Sequence, residues 1–323
     1  MKKRIFTTAL IAFLSWVSVQ AQDPIFSQYF NNTFLLNPAK LSTQQSKSTV
    51  QSLYRSQWMG ATGTKPFNAS LVSYEQKISQ KKQLNDYFAV GGMMMMESSN
   101  GGLLKNNYLN LSTAYHNALN EDGTRKLSVG LGVVYANRML DASKFVTQSQ
   151  FGSFGFMHTA SNYDPINLSN NKYLDLNAGI AVEDKQQNFG YRLGAAVYHI
   201  NRPSEGVFKA DEYRMKQKWI VESELYFPTK NGGKWTVSAN NQMQGKFLLF
   251  SLGAMYEQGL ANTDYVIGLG AWHRFEESIY PYLMVESKKL KLGLSYDIVT
   301  NKLRTTYNNV QSIELSLAWK LNK

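Results

Sequence analysis

The closing stretch SIELSLAWKL places Ile313, Leu315, Leu317, Trp319 and Leu321 on one side of an extended chain. Ser312, Glu314, Ser316, Ala318 and Lys320 fall on the other. A repeat of two residues is the mark of a pleated strand, because a helix brings its side chains round every 3.6 residues. The run lasts about ten residues, whereas soluble strands average about five or six. Ten is the length a tilted strand needs to cross a bilayer.

The same alternation recurs along the chain. Leu127, Val129, Leu131, Val133 and Tyr135 oppose Lys126, Ser128, Gly130, Gly132 and Arg138. Leu290, Leu292, Leu294, Tyr296 and Ile298 oppose Lys289, Lys291, Gly293, Ser295 and Asp297. The pattern predicts strands near 49–58, 67–77, 87–96, 105–116, 126–137, 173–183, 189–200, 217–227, 233–243, 246–256, 263–273, 279–286, 289–298 and 311–321. These make an all-β transmembrane outer-membrane barrel of about 14 antiparallel strands, residues 49–323, with both ends in the periplasm. The longest connections, 138–172, 201–216 and 299–310, then all lie outside, and short turns such as Asn231-Gly232-Gly233 lie inside. A soluble β-sandwich or propeller also alternates, but it would use shorter strands and bury one face. Here the second face carries glycine and charges of both signs, including Arg192, Lys218, Glu222, Glu224 and Asp297, which suits a lumen.

Lys2, Lys3 and Arg4 precede the apolar run Ile5 to Val19, and Ala21 offers the small residue of a cleavage site, so residues 1–21 read as a secretory signal. A membrane anchor is the alternative, for which the run is short. Its removal leaves 31 basic against 23 acidic residues, a balance that in an exported chain suits outer-membrane lipid and lipopolysaccharide and not nucleic acid. Without cysteine there is neither a disulfide nor a Cys-metal site. The four histidines, His116, His158, His199 and His273, show no ligand spacing, and no hydrolase or phosphate-binding motif occurs. The chain therefore reads as non-enzymatic, with no cofactor and no metal, and His116, His199 and His273 read as residues of the barrel rim. Aromatics near strand ends, Trp58, Tyr115, Tyr135, Tyr226, Phe227, Tyr256, Trp272 and Trp319, suit an interfacial girdle, or equally plain strand propensity.

The remaining segment, DPIFSQYFNNTFLLNPA, fits neither period. It is followed by YRSQWMGATGTKP (Tyr54 to Pro66), and the chain closes through LGLSYDIVTNKL and SIELSLAW. In this order the words resemble the PorP/SprF family of Bacteroidetes outer-membrane proteins. The likeness spans the mature chain, with its specific words at the two ends. Two departures are the stretch MESSNGG after the third strand and the ending Leu-Asn-Lys in place of an aromatic. The resemblance implies a component of the type IX secretion system that supports secretion and surface anchoring of adhesin-like cargo, gliding adhesins included. Its implied partners are a secreted adhesin or its C-terminal domain and other type IX components. A channel for small or hydrophobic solutes on the same fold is the other reading.

For residues 22–48 the expectation is a segment packed in the lumen or its periplasmic mouth; a disordered lead-in is the alternative. Asp23, Pro24, Phe26, Ser27, Gln28, Tyr29, Asn37 and Pro38 would form the plug or docking segment, and Arg55, Gln57 and Trp58 its neighbours in the barrel.

Overall fold

The structure, a computed structural model, describes residues 24–43, 46–61, 65–79, 85–144, 148–153, 155–157, 170–204, 214–301 and 310–321. The signal expected over residues 1–21, together with Asp23 and His158, lies outside the described residues.

The chain folds as β1 (Ser48–Met59), β2 (Phe67–Ser79), β3 (Tyr87–Ser99), β4 (Leu104–Ala118), β5 (Arg125–Leu140), β6 (Phe151–Gly152), β7 (Gly155–Phe156), β8 (Asn171–Lys185), β9 (Gly190–Tyr198) and β10 (Lys218–Pro228). It continues through β11 (Gly233–Gln244), β12 (Phe247–Gly259), β13 (Val266–Arg274), β14 (Ser278–Glu286), β15 (Leu290–Val299) and β16 (Gln311–Lys320). Fourteen of these strands pair in chain order into a closed antiparallel barrel, and β6 with β7 forms a separate two-stranded hairpin inside the β5–β8 connection. All of the strands expected from the alternation are present; the small hairpin was not expected, since two residues are too few to show a period. Closure runs from Thr49 opposite Lys320 to Ser56 opposite Ile313, so that β1 has a partner on both edges and no open edge remains there.

Parity decides the faces. On β15 the side chains alternate exposed and buried, with Leu292 and Leu294 outward and Ser295 and Asp297 inward. On β3, Met94 and Met96 are each 62% exposed while Met93 and Met95 are buried, so the four-methionine run serves two environments at once. The outer surface is a band of exposed Leu, Val, Ile and aromatic side chains, which only a hydrocarbon surrounding would cover.

Several strands run a turn-length beyond expectation, as β3 to Ser99, β5 to Leu140 and β12 to Gly259, while two are shorter for local reasons. β9 stops at Tyr198 because His199 takes a left-handed φ of 57° and turns its ring inward to Asp175, 2.8 Å away. The Asn201 side chain then replaces the lost ladder, accepting from Leu176 N and donating to the Leu174 carbonyl. β13 starts at Val266 because the turn before it carries Asn262 at φ 58°.

Candidate functional site

The barrel wall encloses residues 24–43, and the sequence of that segment dictates how it does so. It has no run of alternation to add a strand, and the Asn31, Asn32 and Asn37 side chains bond locally instead. Tyr29–Asn31 and Pro38–Lys40 form single 3₁₀ turns. Asn37 caps the second, accepting from Ala39 N at 2.9 Å, while Pro38 occupies the first turn, where its missing N–H costs nothing.

That turn lies against glycines of the wall. A Cβ at Gly130 would collide with the backbone of Pro38 and Ala39, and one at Gly179 or Gly194 with the Asn37 side chain. Asn37 Nδ2 donates to the carbonyls of Ile180 (3.1 Å) and Ala195 (3.4 Å) across the β8–β9 pair. The glycines thus clear a berth that Asn37-Pro38-Ala39 fills.

Two groups of buried polar contacts fasten the segment. In the first, the backbone N–H groups of Ser27 and Gln28 donate to the two Glu314 oxygens, at 2.8 and 2.9 Å. The Ser27 hydroxyl donates to Asp297 (2.7 Å) and accepts from Arg55 (2.7 Å) and Arg274 (2.8 Å). Arg55 also pairs with Asp297 at 2.9 Å and Glu314 at 3.3 Å. Gln28 Nε2 donates to Ser295 Oγ and to the Glu314 carbonyl.

In the second group, Lys40 Nζ pairs with Glu222 at 2.8 Å and Glu224 at 2.6 Å, all three nearly without solvent. Burial works against the Lys40 ammonium, yet the two carboxylates outweigh it and hold its pKa above the ordinary lysine value. Arg192 joins Glu224, at 3.0 Å, to Glu183.

Between these groups the segment packs by its rings. Phe30 stacks on Trp272 with centroids 4.5 Å apart, and Tyr29 shares Ser238 Oγ with the Trp272 indole N–H. Phe26 and Phe34 join Leu53, Leu71, Ala89, Met93 and Met95 in one buried cluster. Trp272 and Tyr226, for which a girdle and plain strand propensity stood equal above, face inward: Trp272 is buried under Phe30, and the Tyr226 hydroxyl bonds Glu224. Trp235, Phe227 and Trp319 do face outward.

Of the residues singled out from sequence, Ser27, Gln28, Tyr29, Asn37, Pro38 and Arg55 meet in these contacts. Phe26 is core. Pro24 lies farther out, lining with Arg55, Gln57 and Trp58 a vestibule of about 840 Å³ at the mouth opposite the one where β1 begins and β16 ends. Trp58 takes φ 62° and packs edge-on to Phe67 at the end of β1. Lys40, Glu222, Glu224, Arg274, Asp297 and Glu314 were not assigned to the segment by sequence. A lysine beside a buried turn and inward acids at matching parity were the available signals, but nothing local pairs them.

His116 and His199 are not exposed rim residues. His116 donates from Nε2 to the Leu41 carbonyl at 2.8 Å, stacks on Tyr87 and has Ser128 Oγ 2.7 Å from Nδ1. A serine beside a histidine invites a hydrolase reading, but this pair lies sealed beneath the segment, with both ring nitrogens engaged and both residues buried. Through Nε2 the histidine fastens the segment at Leu41. Among the described residues no group of three His, Cys, Asp or Glu side chains could hold a metal.

The model of the family described as "Type IX secretion system membrane protein PorP/SprF" matches residues 18–319. Among solved structures, a mutant of the TodX monoaromatic hydrocarbon channel superposes with a TM-score of 0.57 at 9% identity, over 91% of this chain and 94% of that one. The Ralstonia pickettii toluene transporter TbuX gives 0.54 at 8% identity, over 90% and 93%. The P. putida toluene transporter TodX gives 0.53 at 10%, over 91% and 94%. At such identities the likeness is one of fold, that of closed outer-membrane barrels. No curated protein matches the sequence.

Proposed function

The chain belongs to the PorP/SprF family of type IX secretion system membrane proteins, and from that premise we propose that it is a closed, non-enzymatic platform for the secretion and surface anchoring of adhesin-like cargo. It is a β-barrel of the outer membrane. In this reading residues 22–48 form a plug that keeps the lumen shut and gives partners a rigid surface, after removal of a signal over residues 1–21. Gliding adhesins belong to the cargo class. Lipid and lipopolysaccharide surround the barrel, and other type IX components meet its ends.

The observation that carries the reading is the fastening of the segment at both of its ends, Ser27–Gln28 on Glu314 and Lys40 on Glu222 and Glu224. Buried polar groups held by so many partners make a fixed part of a barrel and not a passing occupant. A channel for small or hydrophobic solutes has in its favour the fold shared with TodX and TbuX. Against it, the cavity beside the segment, between Phe34, Met93 and Asp175, measures about 60 Å³, room for a few waters.

Deleting residues 23–39 separates the two. The platform reading expects a folded, heat-modifiable barrel that conducts ions in planar bilayers where the intact protein conducts little, together with loss of adhesin display on the cell surface. High conductance from the intact protein would reject the plug and favour the channel.

A further inference from the structure

The inner segment crosses the whole lumen, and its direction can be followed contact by contact. Its carboxyl end lies at the mouth where β1 begins. There Ser42 N–H donates to Glu75, which stands opposite Thr49 in the β1–β2 ladder, and Ser42 O accepts from Tyr87 at the start of β3. Lys40 meets Glu222 and Glu224 midway along β10. Ser27 and Gln28 reach Asp297 and Glu314, close to the far ends of β15 and β16. Pro24 and Ile25 line the vestibule beyond, together with Lys246 between β11 and β12 and Glu276 between β13 and β14. From Pro24 to Ser42 the chain therefore runs from one mouth to the other, and β1 turns back along it.

Connection lengths tell the mouths apart. Residues 141–170, 199–217 and 300–310 join strands on the vestibule side, whereas 229–232 and 287–289 join them on the other. Outer-membrane barrels keep short turns in the periplasm and long loops outside. The vestibule thus belongs to the outer mouth, while the barrel's two ends, tied by Leu321 N–H on Ser48 O at 2.9 Å, belong to the periplasmic one. An even number of strands keeps those two ends together, but it has no bearing on a segment that precedes them.

We infer that the segment displays the amino-terminal end of the mature chain on the outer side of the membrane, with Gln22 and Asp23 as the occupants of the vestibule. Between a cleavage after Ala21 and Pro24 these two residues alone remain, and extended they reach about 7 Å. That is too short a lead to return past Ser27 and Gln28 to the periplasm. It suits a vestibule of about 840 Å³, whose rim carries exposed Lys246 as counter-charge to the Asp23 carboxylate. Held there at its first residues and continuous with β1 at its last, the segment is tied at both mouths. It closes the lumen as a strap and not as a lid hinged on β1.

The inference rests on the plug and the signal cleavage of the platform reading, to which it adds the direction of the plug. Its test is an epitope tag on the full chain in cells, placed either between Ala21 and Gln22 or after Lys323. Antibody should reach the amino-terminal tag on intact cells and the carboxyl-terminal tag only after the outer membrane is permeabilised. Two tags that share a side, or an amino-terminal tag inside, overturn the outward path. Heat-modifiable migration reports folding. If the tagged chain does not fold, Pro24→Cys serves in a protein without cysteine. A bulky maleimide that cannot cross the outer membrane should label it on intact cells, as it labels Lys216→Cys in an outer connection, whereas Asn231→Cys in a periplasmic turn requires permeabilisation. Labelling of Pro24→Cys only after permeabilisation overturns the path as well. For the occupant, Asp23→Cys with Lys246→Cys should form a disulfide on mild oxidation, and Asp23→Cys with Asn231→Cys should not. No disulfide in the first pair, in a chain whose tag is outside, would leave the vestibule to a partner and overturn its self-occupation. Conductance of the intact protein tests the plug by itself, so a closed barrel with its amino-terminal tag inside fails this inference and leaves the platform standing.

Discussion

The two fastenings of the inner segment hold the same backbone by different physics. At Ser27–Gln28 the segment brings no charge: Arg55 and Arg274 already pair with Asp297, Glu314 and Glu277 of the barrel, and the segment adds hydrogen bonds to a group that has its own ion pairs. At Lys40 the segment brings the cation itself: Glu222 depends on it, and Glu224 shares it with Arg192 of the wall. The barrel can therefore keep the first group intact with the segment absent, whereas the second is left with adjacent buried carboxylates. One end resembles a hydrogen-bonded inlay and the other an ionic lock.

The sharpest way to break this contrast is at the lock. Lys40→Met should destabilise the folded barrel by about 3 to 5 kcal/mol, since buried Glu222 loses its cation and Glu224 is left to Arg192 alone. Urea unfolding in detergent, followed by tryptophan fluorescence, measures it, and Glu222→Gln in the same chain should restore part of the loss.

A substitution that touches neither fastening sets the scale of the barrel alone. Leu315 lies next to Glu314 but faces outward. Leu315→Arg should cost about 2 to 4 kcal/mol if it sits near the bilayer midplane. A polar exchange at the inward Ser316 should cost far less, and equal losses at the two positions in folding assays into lipid vesicles would mean that the faces are misassigned.

The inlay should yield least. Ser27→Ala removes one hydroxyl while Arg55, Asp297 and Glu314 keep one another, so about 1 to 3 kcal/mol is the expected range, toward its lower end. A Ser27→Ala loss as large as that of Lys40→Met, in the same unfolding assay, would erase the distinction between the two ends.

Trp272 shows where reading ran out. An aromatic near a strand end suits the membrane interface, and it suits equally a lumen in which another ring waits to stack. Phe30 is that ring, and it reaches Trp272 only because the segment folds inward. The glycines carry the same lesson, since Gly130 and Gly179 look like ordinary gaps on a polar face until Asn37 and Pro38 are set against them.

Alternation alone determined the strands, their approximate limits and the two faces of the wall, because those follow from backbone geometry over neighbouring residues. Short words at the two ends carried the family, and the density of Asn and aromatics marked residues 23–39 as neither strand nor helix. Which charges meet was decided by the tertiary structure. Ser27 and Glu314 stand 287 positions apart, and Lys40 and Glu222 stand 182 apart. No local period reports such distances: they are set by closure of β1 on β16, by the register of the strands between, and by a segment that enters the space the closure creates.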